Sequence, residues 1–292
     1  MRYLEKIKFN YFPEYEGEYW QQIPGIKAFI ERGEVEFGNE VTVIVGENGM
    51  GKSTLLEAIA VAWGFNAESG TKNMNFSTAS THSSLCESLR LVKGPYYARD
   101  GFFLRAEGIY NLATRIDRLE EENPGILKNY GGISLHQQSH GESFMSIMQN
   151  RFAGKGLYVL DEPEAALSPS RQLAMLALVK RLVDDESQFI ISTHSPILMA
   201  YPGAQVFELT ENGMQSVHYS ETSHFKLTKY FLNNPEGCFG RWWGDYISPK
   251  HLNASSSEIG ENLLKVLPSL VMVSSNIAFG RTQMPCSPYI AW

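Results

Sequence analysis

The sequence predicts an α/β fold, a mixed sheet with helices on both faces, and three observations carry that prediction. A continuous apolar run, Val41-Thr42-Val43-Ile44-Val45, passes through a glycine-bearing loop directly into a helical pattern. A second run, Leu157-Tyr158-Val159-Leu160, ends in Asp161-Glu162, and a third, residues 188–192, follows a helix-length segment. Apolar strands alternating with helices are the pattern of a largely parallel sheet covered on both sides.

Residues 1–45 read as short strands and turns. Lys6-Ile7-Lys8-Phe9 alternates, residues 13–17 punctuate, and residues 41–45 form a buried strand. From Lys52 to Trp63 the residues Leu55, Leu56, Ile59, Ala60 and Trp63 recur at helical spacing. Residues 66–84 are rich in Ser, Thr and Asn and read as loop, before a mixed region that reaches Tyr130. Residues 157–160 form a strand, Ser168-Pro169 caps a helix running to about Val183, and residues 188–192 form another strand. Residues 206–209 and 215–219 flank Asn212-Gly213, a hairpin signal.

Composition narrows the classes. With 292 residues, 43% hydrophobic and 25 basic against 32 acidic side chains, the chain can bury a sizeable core, and disordered and collagen-like classes are excluded. The net charge of −7 gives no global attraction to nucleic acid or to an anionic membrane. Cys86, Cys238 and Cys286 show no metal or disulfide spacing and read as free thiols. No signal-type leader and no charge-free run of membrane-spanning length is present, so a cytoplasmic protein without a membrane span is expected.

Gly46-Glu47-Asn48-Gly49-Met50-Gly51-Lys52-Ser53-Thr54 satisfies G-x-x-x-x-G-K-[ST] between a buried strand and a helix, the context this phosphate-binding loop needs. Glycines let backbone N–H groups wrap a phosphate, the helix N-terminus adds its positive dipole end, Lys52 reaches the β- and γ-phosphates, and the Ser53 hydroxyl ligates magnesium. A nucleoside triphosphate is the expected ligand. Asp161 and Glu162 stand at the C-terminal end of an apolar strand, where ligands of open α/β sheets bind. Asp161 suits a magnesium ion held through water, and Glu162 suits polarisation of the water that attacks the γ-phosphate.

Asp161-Glu162-Pro163-Glu164 followed by Ala165-Ala166-Leu167-Ser168-Pro169 resembles the Walker B strand and D-loop of ABC-type ATPases, the class shared by transporter motors, SMC proteins and RecF-like repair ATPases. Ser139-His140-Gly141-Glu142-Ser143 is similar to their signature motif, with His140 in place of the first glycine, and it also reads as a helix cap. Ile190-Ile191-Ser192-Thr193-His194-Ser195-Pro196 resembles the strand and switch histidine, which implies His194 beside the γ-phosphate. The likeness covers residues 1–234, and is nearest to small stand-alone ATPases of an AAA-family, ABC-like kind, whose Phe-Phe-Leu-Arg-Ala-Glu segment appears at residues 102–107.

The resemblance implies a P-loop ATPase head with a small helical signature lobe, binding ATP and Mg2+. It also implies an ATP-dependent homodimer in which Ser139, Gly141 and Glu142, opening a helix over residues 143–152, close on the partner's nucleotide. No glutamine lies between Thr54 and Leu135, so the Q-loop glutamine has no direct match; Glu107 is either its substitute or a solvated strand-end acid. The adenine-stacking aromatic is left open among Tyr3, Phe9, Tyr11, Phe12, Tyr15 and Trp20. Two other roles stand beside the soluble ATPase, for which nucleic acid or a partner protein is a candidate partner: a nucleotide-dependent clamp or switch on nucleic acid, in repair or phage defence, and the motor subunit of a transporter. The missing Q-loop glutamine argues against the second. Residues 235–292 differ in character, with four basic and four acidic side chains and three of the five tryptophans, and are expected to be a C-terminal extension of unassigned fold. His82, His218, His224 and His251 show no ligand spacing and receive no role.

Overall fold

Six strands carry the chemistry of the chain in one sheet. In the computed structural model, which describes residues 1–12, 15–72, 83–211 and 213–236, these are β3 (Val41–Gly46), β5 (Asp100–Arg105), β6 (Gly156–Asp161), β7 (Gln188–Ser192), β8 (Gln205–Thr210) and β9 (Gly213–Val217). Their order is β5-β6-β7-β3-β8-β9, parallel throughout except for β9, which pairs antiparallel with β8. A second sheet, β2-β1-β4, is antiparallel and built from β1 (Leu4–Phe9), β2 (Glu34–Glu36) and β4 (Leu89–Lys93).

The central parallel strands β3, β6 and β7 are buried from end to end, and the pleat sends alternate residues to two separate cores. On one face Val43, Phe102, Tyr158, Leu160 and Ile191 pack with α3 (Ile109–Glu122), α4 (His140–Arg151) and α5 (Pro169–Asp184). On the other, Ile44, Phe103, Val159, Ile190 and Phe207 pack with α1 (Pro24–Arg32), α2 (Lys52–Trp63) and the small antiparallel sheet. Each strand therefore needs apolar side chains at every position, which is why the sequence shows unbroken apolar runs there.

The contacts divide the chain into Met1–Thr228 and Lys229–Trp292. In the first unit, α6 (Pro196–Met199) follows β7, and α7 (Ser223–Asn233) starts after β9 and runs into the second. Most of the proposed extension, with Cys238, Cys286, His251 and its three tryptophans, lies outside the described residues, as do His82 and Asn212 of the hairpin turn.

Residues 1–45 correct the expectation of strands and turns alone, because α1 lies among them. Its cues are local but short: Pro24 in the first turn, Gly33 closing the end at φ 78°, and only Ile26, Phe29 and Ile30 marking the apolar face over nine residues. The helix over residues 143–152 begins earlier than expected, at His140, because Ser139 caps it.

Candidate functional site: a phosphate loop facing an acidic strand end

The central strand β3 ends in the phosphate loop, and the loop enters α2 through Gly51 in the left-handed region at φ 87°. A Cβ at Gly51 would stand 2.6 Å from Cγ2 of Ile23, so glycine is required there for backbone conformation and for room. No side chain caps the first turn of α2, which leaves its amide N–H groups directed out of the helix end. Lys52 is buried, and Nζ donates to the carbonyl of Glu47 at 3.2 Å. Burial lowers the pKa of its ammonium, against the pull of Glu162, Asp161, Glu164 and Glu47. Glu47 and Asn48 are exposed, Gly49 turns the loop at φ 82°, and Met50 packs against the core below α2.

Next to β3, with β7 between, β6 ends in the acid pair. Asp161 is buried and both carboxylate oxygens are engaged: Oδ1 accepts from the Ser192 hydroxyl at 2.5 Å and Oδ2 from Nε of Arg105 at 3.0 Å. Glu162 sits at φ 48°, ψ 53°, a left-handed conformation unusual for a residue with a side chain. Its N–H is held by the carbonyl and hydroxyl of Ser192, each at 3.2 Å. Burial first, then Asp161, raises the pKa of the Glu162 carboxyl, and Lys52 opposes that rise. Oε1 of Glu162 lies 3.9 Å from Nζ of Lys52 and 3.4 Å from Nε2 of His194. Ser53 and Thr54 of α2, Arg105 at the end of β5, Glu107 just beyond it, and the two acids line a cavity of about 220 Å3.

His194 follows β7, and Glu164 fixes its backbone by accepting its N–H at Oε1, 2.5 Å away. Burial, the Lys52 ammonium and the neighbouring His224 push the imidazole down to about 4, so it is neutral at pH 7. Its Nε2 is buried and makes no hydrogen bond. Nδ1 lies 3.0 Å from Nε2 of His224, near the start of α7.

The signature residues lie apart from this cluster. Ser139 and Glu142 form a reciprocal capping box at the start of α4, with the Ser139 N–H donating to Oε2 of Glu142 at 2.9 Å. Arg171 of α5 donates to Oε1 of Glu142 at 3.3 Å. Gly141 is set so close to the D-loop that a Cβ would reach within 2.8 Å of the Ala166 carbonyl. The capping reading therefore holds for Ser139 and Glu142.

Two domain models match along the chain, an AAA domain over residues 22–125 and an AAA ATPase domain over residues 109–199. The ribose import ATP-binding protein RbsA of Yersinia pestis is 25% identical over 193 residues, 60% of this chain and 36% of that protein. Residues 22–199 thus match AAA-type ATPase domains in two overlapping stretches, and the likeness to RbsA supports an ABC-type P-loop ATPase. The chain spans about a third of the length of the curated relatives it matches. Among solved structures, an SMC head domain from Thermotoga maritima is similar at 18% identity over 75% of this chain and 99% of that one, with a TM-score of 0.37. CbiO1 from Clostridium perfringens, part of an ABC transporter complex, is similar at 17% identity over 84% and 100%, with a TM-score of 0.41. Both scores are too low to say more about this chain.

Four residues of the site escaped sequence reasoning. Arg105 and Glu57 form an ion pair at 3.0 Å beside Asp161; Arg105 lies in the segment over residues 102–107, and Glu57 stands one helical turn after Ser53. Tyr19 lines the cavity, whereas Tyr3 and Trp20 are fully buried in the core. His224 carried no spacing signal because its partner is thirty residues away on another element. Glu107 lines the cavity with Ser53 and Asp161. Among the described residues no group of three or more His, Cys, Asp and Glu side chains could hold a metal by itself, and no helix is long and apolar enough to cross a membrane.

Proposed function

We propose that this ATPase binds ATP with Mg2+ on the phosphate loop and hydrolyses it to ADP and phosphate, two copies packing head to tail around the nucleotide. The observation that carries the reading is the convergence on Glu162: Lys52 at 3.9 Å and His194 at 3.4 Å from one carboxylate oxygen, each contributed by a different strand end.

The side chains suit a triphosphate. Lys52 is a buried cation with a carbonyl as its hydrogen-bonded partner, the first turn of α2 is uncapped, and Nε2 of His194 is a buried polar atom without a bond. All three are satisfied by phosphate oxygens. Ser53 and Asp161 would hold the magnesium ion, Asp161 through water because Ser192 and Arg105 already bond its oxygens. Bound there, the ion neutralises charge on the β- and γ-phosphate oxygens.

Glu162 accepts the proton of the attacking water as the water oxygen bonds to the γ-phosphorus and the bond to the β-bridging oxygen breaks. Its raised pKa, caused by burial and by Asp161, makes it a better base than an exposed carboxylate. Lys52 offsets negative charge on the phosphates, and neutral His194 donates from Nε2. Glu107 stands in for the Q-loop glutamine. Since Ser139, Gly141 and Glu142 sit on α4 away from the loop of their own copy, a second copy is needed to bring a signature to the nucleotide.

Phosphate release and ATP binding by three proteins test this. The parent should release phosphate with Mg-ATP, Lys52→Ala should lose binding, and Glu162→Gln should bind while turnover falls by about 100-fold or more. A Glu162→Gln protein as fast as the parent would remove Glu162 from the role of base.

A further inference from the structure

His224 is a histidine to which neither its spacing nor the motifs assign a role. The structure sets it against the switch histidine: Nε2 of His224 lies 3.0 Å from Nδ1 of His194, with the ring centroids 5.0 Å apart. The same Nε2 is 3.8 Å from Oε1 of Glu47, in the phosphate loop. The start of α7 is fixed from several sides. The Ser223 N–H donates to Oε1 of Glu208 on β8 at 2.8 Å, the buried Thr222 hydroxyl donates to the Tyr219 carbonyl at 2.7 Å, and Phe225 packs edge-on against Tyr219. His224 is thus presented to His194 by an anchored helix end.

Hydrogen-bond accounting sets the direction of the pair. A neutral imidazole has one N–H and one bare lone pair. Nε2 of His194 faces the Glu162 carboxylate and the buried cluster around Lys52, where phosphate oxygens are to sit. A bare lone pair on Nε2 would face the Glu162 carboxylate oxygen 3.4 Å away and, later, phosphate oxygens, so the proton belongs on Nε2. Nδ1 is then the acceptor, and the only ring nitrogen bonded to it, Nε2 of His224, must donate. The carboxylate of Glu47 favours an N–H at that position, and the remaining nitrogen of His224, Nδ1, is buried without a hydrogen bond.

We infer that His224 is a positioning residue for His194: its Nε2–H holds Nδ1 of His194, selecting the tautomer that presents an N–H from Nε2 to the terminal phosphate. This rests on the hydrolysis reading above for its use, though not for its geometry. Lys52, Glu162 and His224 face the His194 side chain, Glu164 holds its backbone, and among the described residues only His224 bonds the ring.

The test uses the full chain labelled with 15N-histidine, in parent, His224→Gln and His224→Phe forms. Gln places an amide N–H close to the position of Nε2, whereas Phe keeps a ring without a donor. Correlation spectra of the ring nitrogens, recorded without nucleotide, should show His194 protonated on Nε2 in the parent and in His224→Gln, and a mixture or the Nδ1–H form in His224→Phe. In steady state His224→Phe should lose about tenfold in kcat with KM for ATP within about twofold, and His224→Gln should recover most of that loss. An Nδ1–H tautomer in the parent, or an unchanged His194 tautomer in His224→Phe, would overturn the inference. A folded His224→Phe protein is recognised by parent-like ATP binding; if the replacement unfolds the chain, the parent spectrum and His224→Gln still decide. Because the tautomer is read without ATP, a parent that fails to hydrolyse refutes the functional reading and leaves the pair open to proof, whereas a failed pair leaves the dependence on Lys52 and Glu162 intact.

Discussion

Nε of Arg105 donates to Oδ2 of Asp161 at 3.0 Å, and Nη2 of the same guanidinium reaches Oε2 of Glu57 at 3.0 Å. One side chain therefore ties the ends of β5 and β6 to α2 and holds the proposed magnesium carboxylate in a fixed orientation. Asp161 and Glu57 keep 3% and 15% of their side-chain surface exposed, so each depends on Arg105 for most of its charge compensation. A planar cation with several fixed donors suits this three-way bridge better than a lysine would.

Arg105→Ala is expected to destabilise the fold by about 3 kcal/mol, because it leaves two carboxylates unpaired in a poorly solvated place. Glu57→Gln should be milder, about 1 kcal/mol, since Arg105 retains Asp161. Denaturant unfolding measures both. An Arg105→Ala protein as stable as the parent would show that the bridge is a surface pairing of little consequence.

At the start of α4, Ser139→Ala removes the capping hydroxyl and should lower stability by about 1 kcal/mol, read from the denaturation midpoint. It should also lower turnover more than ATP binding by one copy if, as proposed, the signature acts on the other copy's nucleotide. Equal losses of binding and turnover would place Ser139 in the same copy's site instead.

The His194 imidazole supplies a pH test. Its pKa falls from 6.5 to about 4 through burial, then Lys52, then His224. Below about 6.5 the unfolded chain takes up a proton that the folded chain refuses until about 4, so the unfolded state binds more protons across that window. The contribution is complete above 6.5 and shrinks as the pH falls toward 4, by about 3 kcal/mol in all. Stability measured from pH 7.5 to 4.5 should show this slope in the parent and a shallower one in His194→Asn. Identical slopes would show that another group supplies it.

Where the physics is local, the sequence was readable. Lys52–Trp63 and Gln188–Ser192 have the bounds read from periodicity, since a strand buried on both faces and a helix entered through glycines leave unmistakable patterns. The short helix Pro24–Arg32 did not, because nine residues with three apolar anchors resemble a turn-rich strand region. The site divides in the same way. The loop, the acid pair and His194 stand on contiguous motifs, and the fold brings Lys52, Glu162 and His194 within a few ångströms. The engagement of Asp161 by Arg105, and of His194 by His224, joins residues 56 and 30 positions apart on different elements, and no one-dimensional spacing records such a meeting.

The most direct test of the account is the mass of the Glu162→Gln protein by light-scattering chromatography, with and without Mg-ATP. A composite site closed by two signatures predicts a monomer that becomes a dimer when Mg-ATP is added and reverts when it is removed. A mass that Mg-ATP leaves unchanged, in a protein shown to bind the nucleotide, would contradict it.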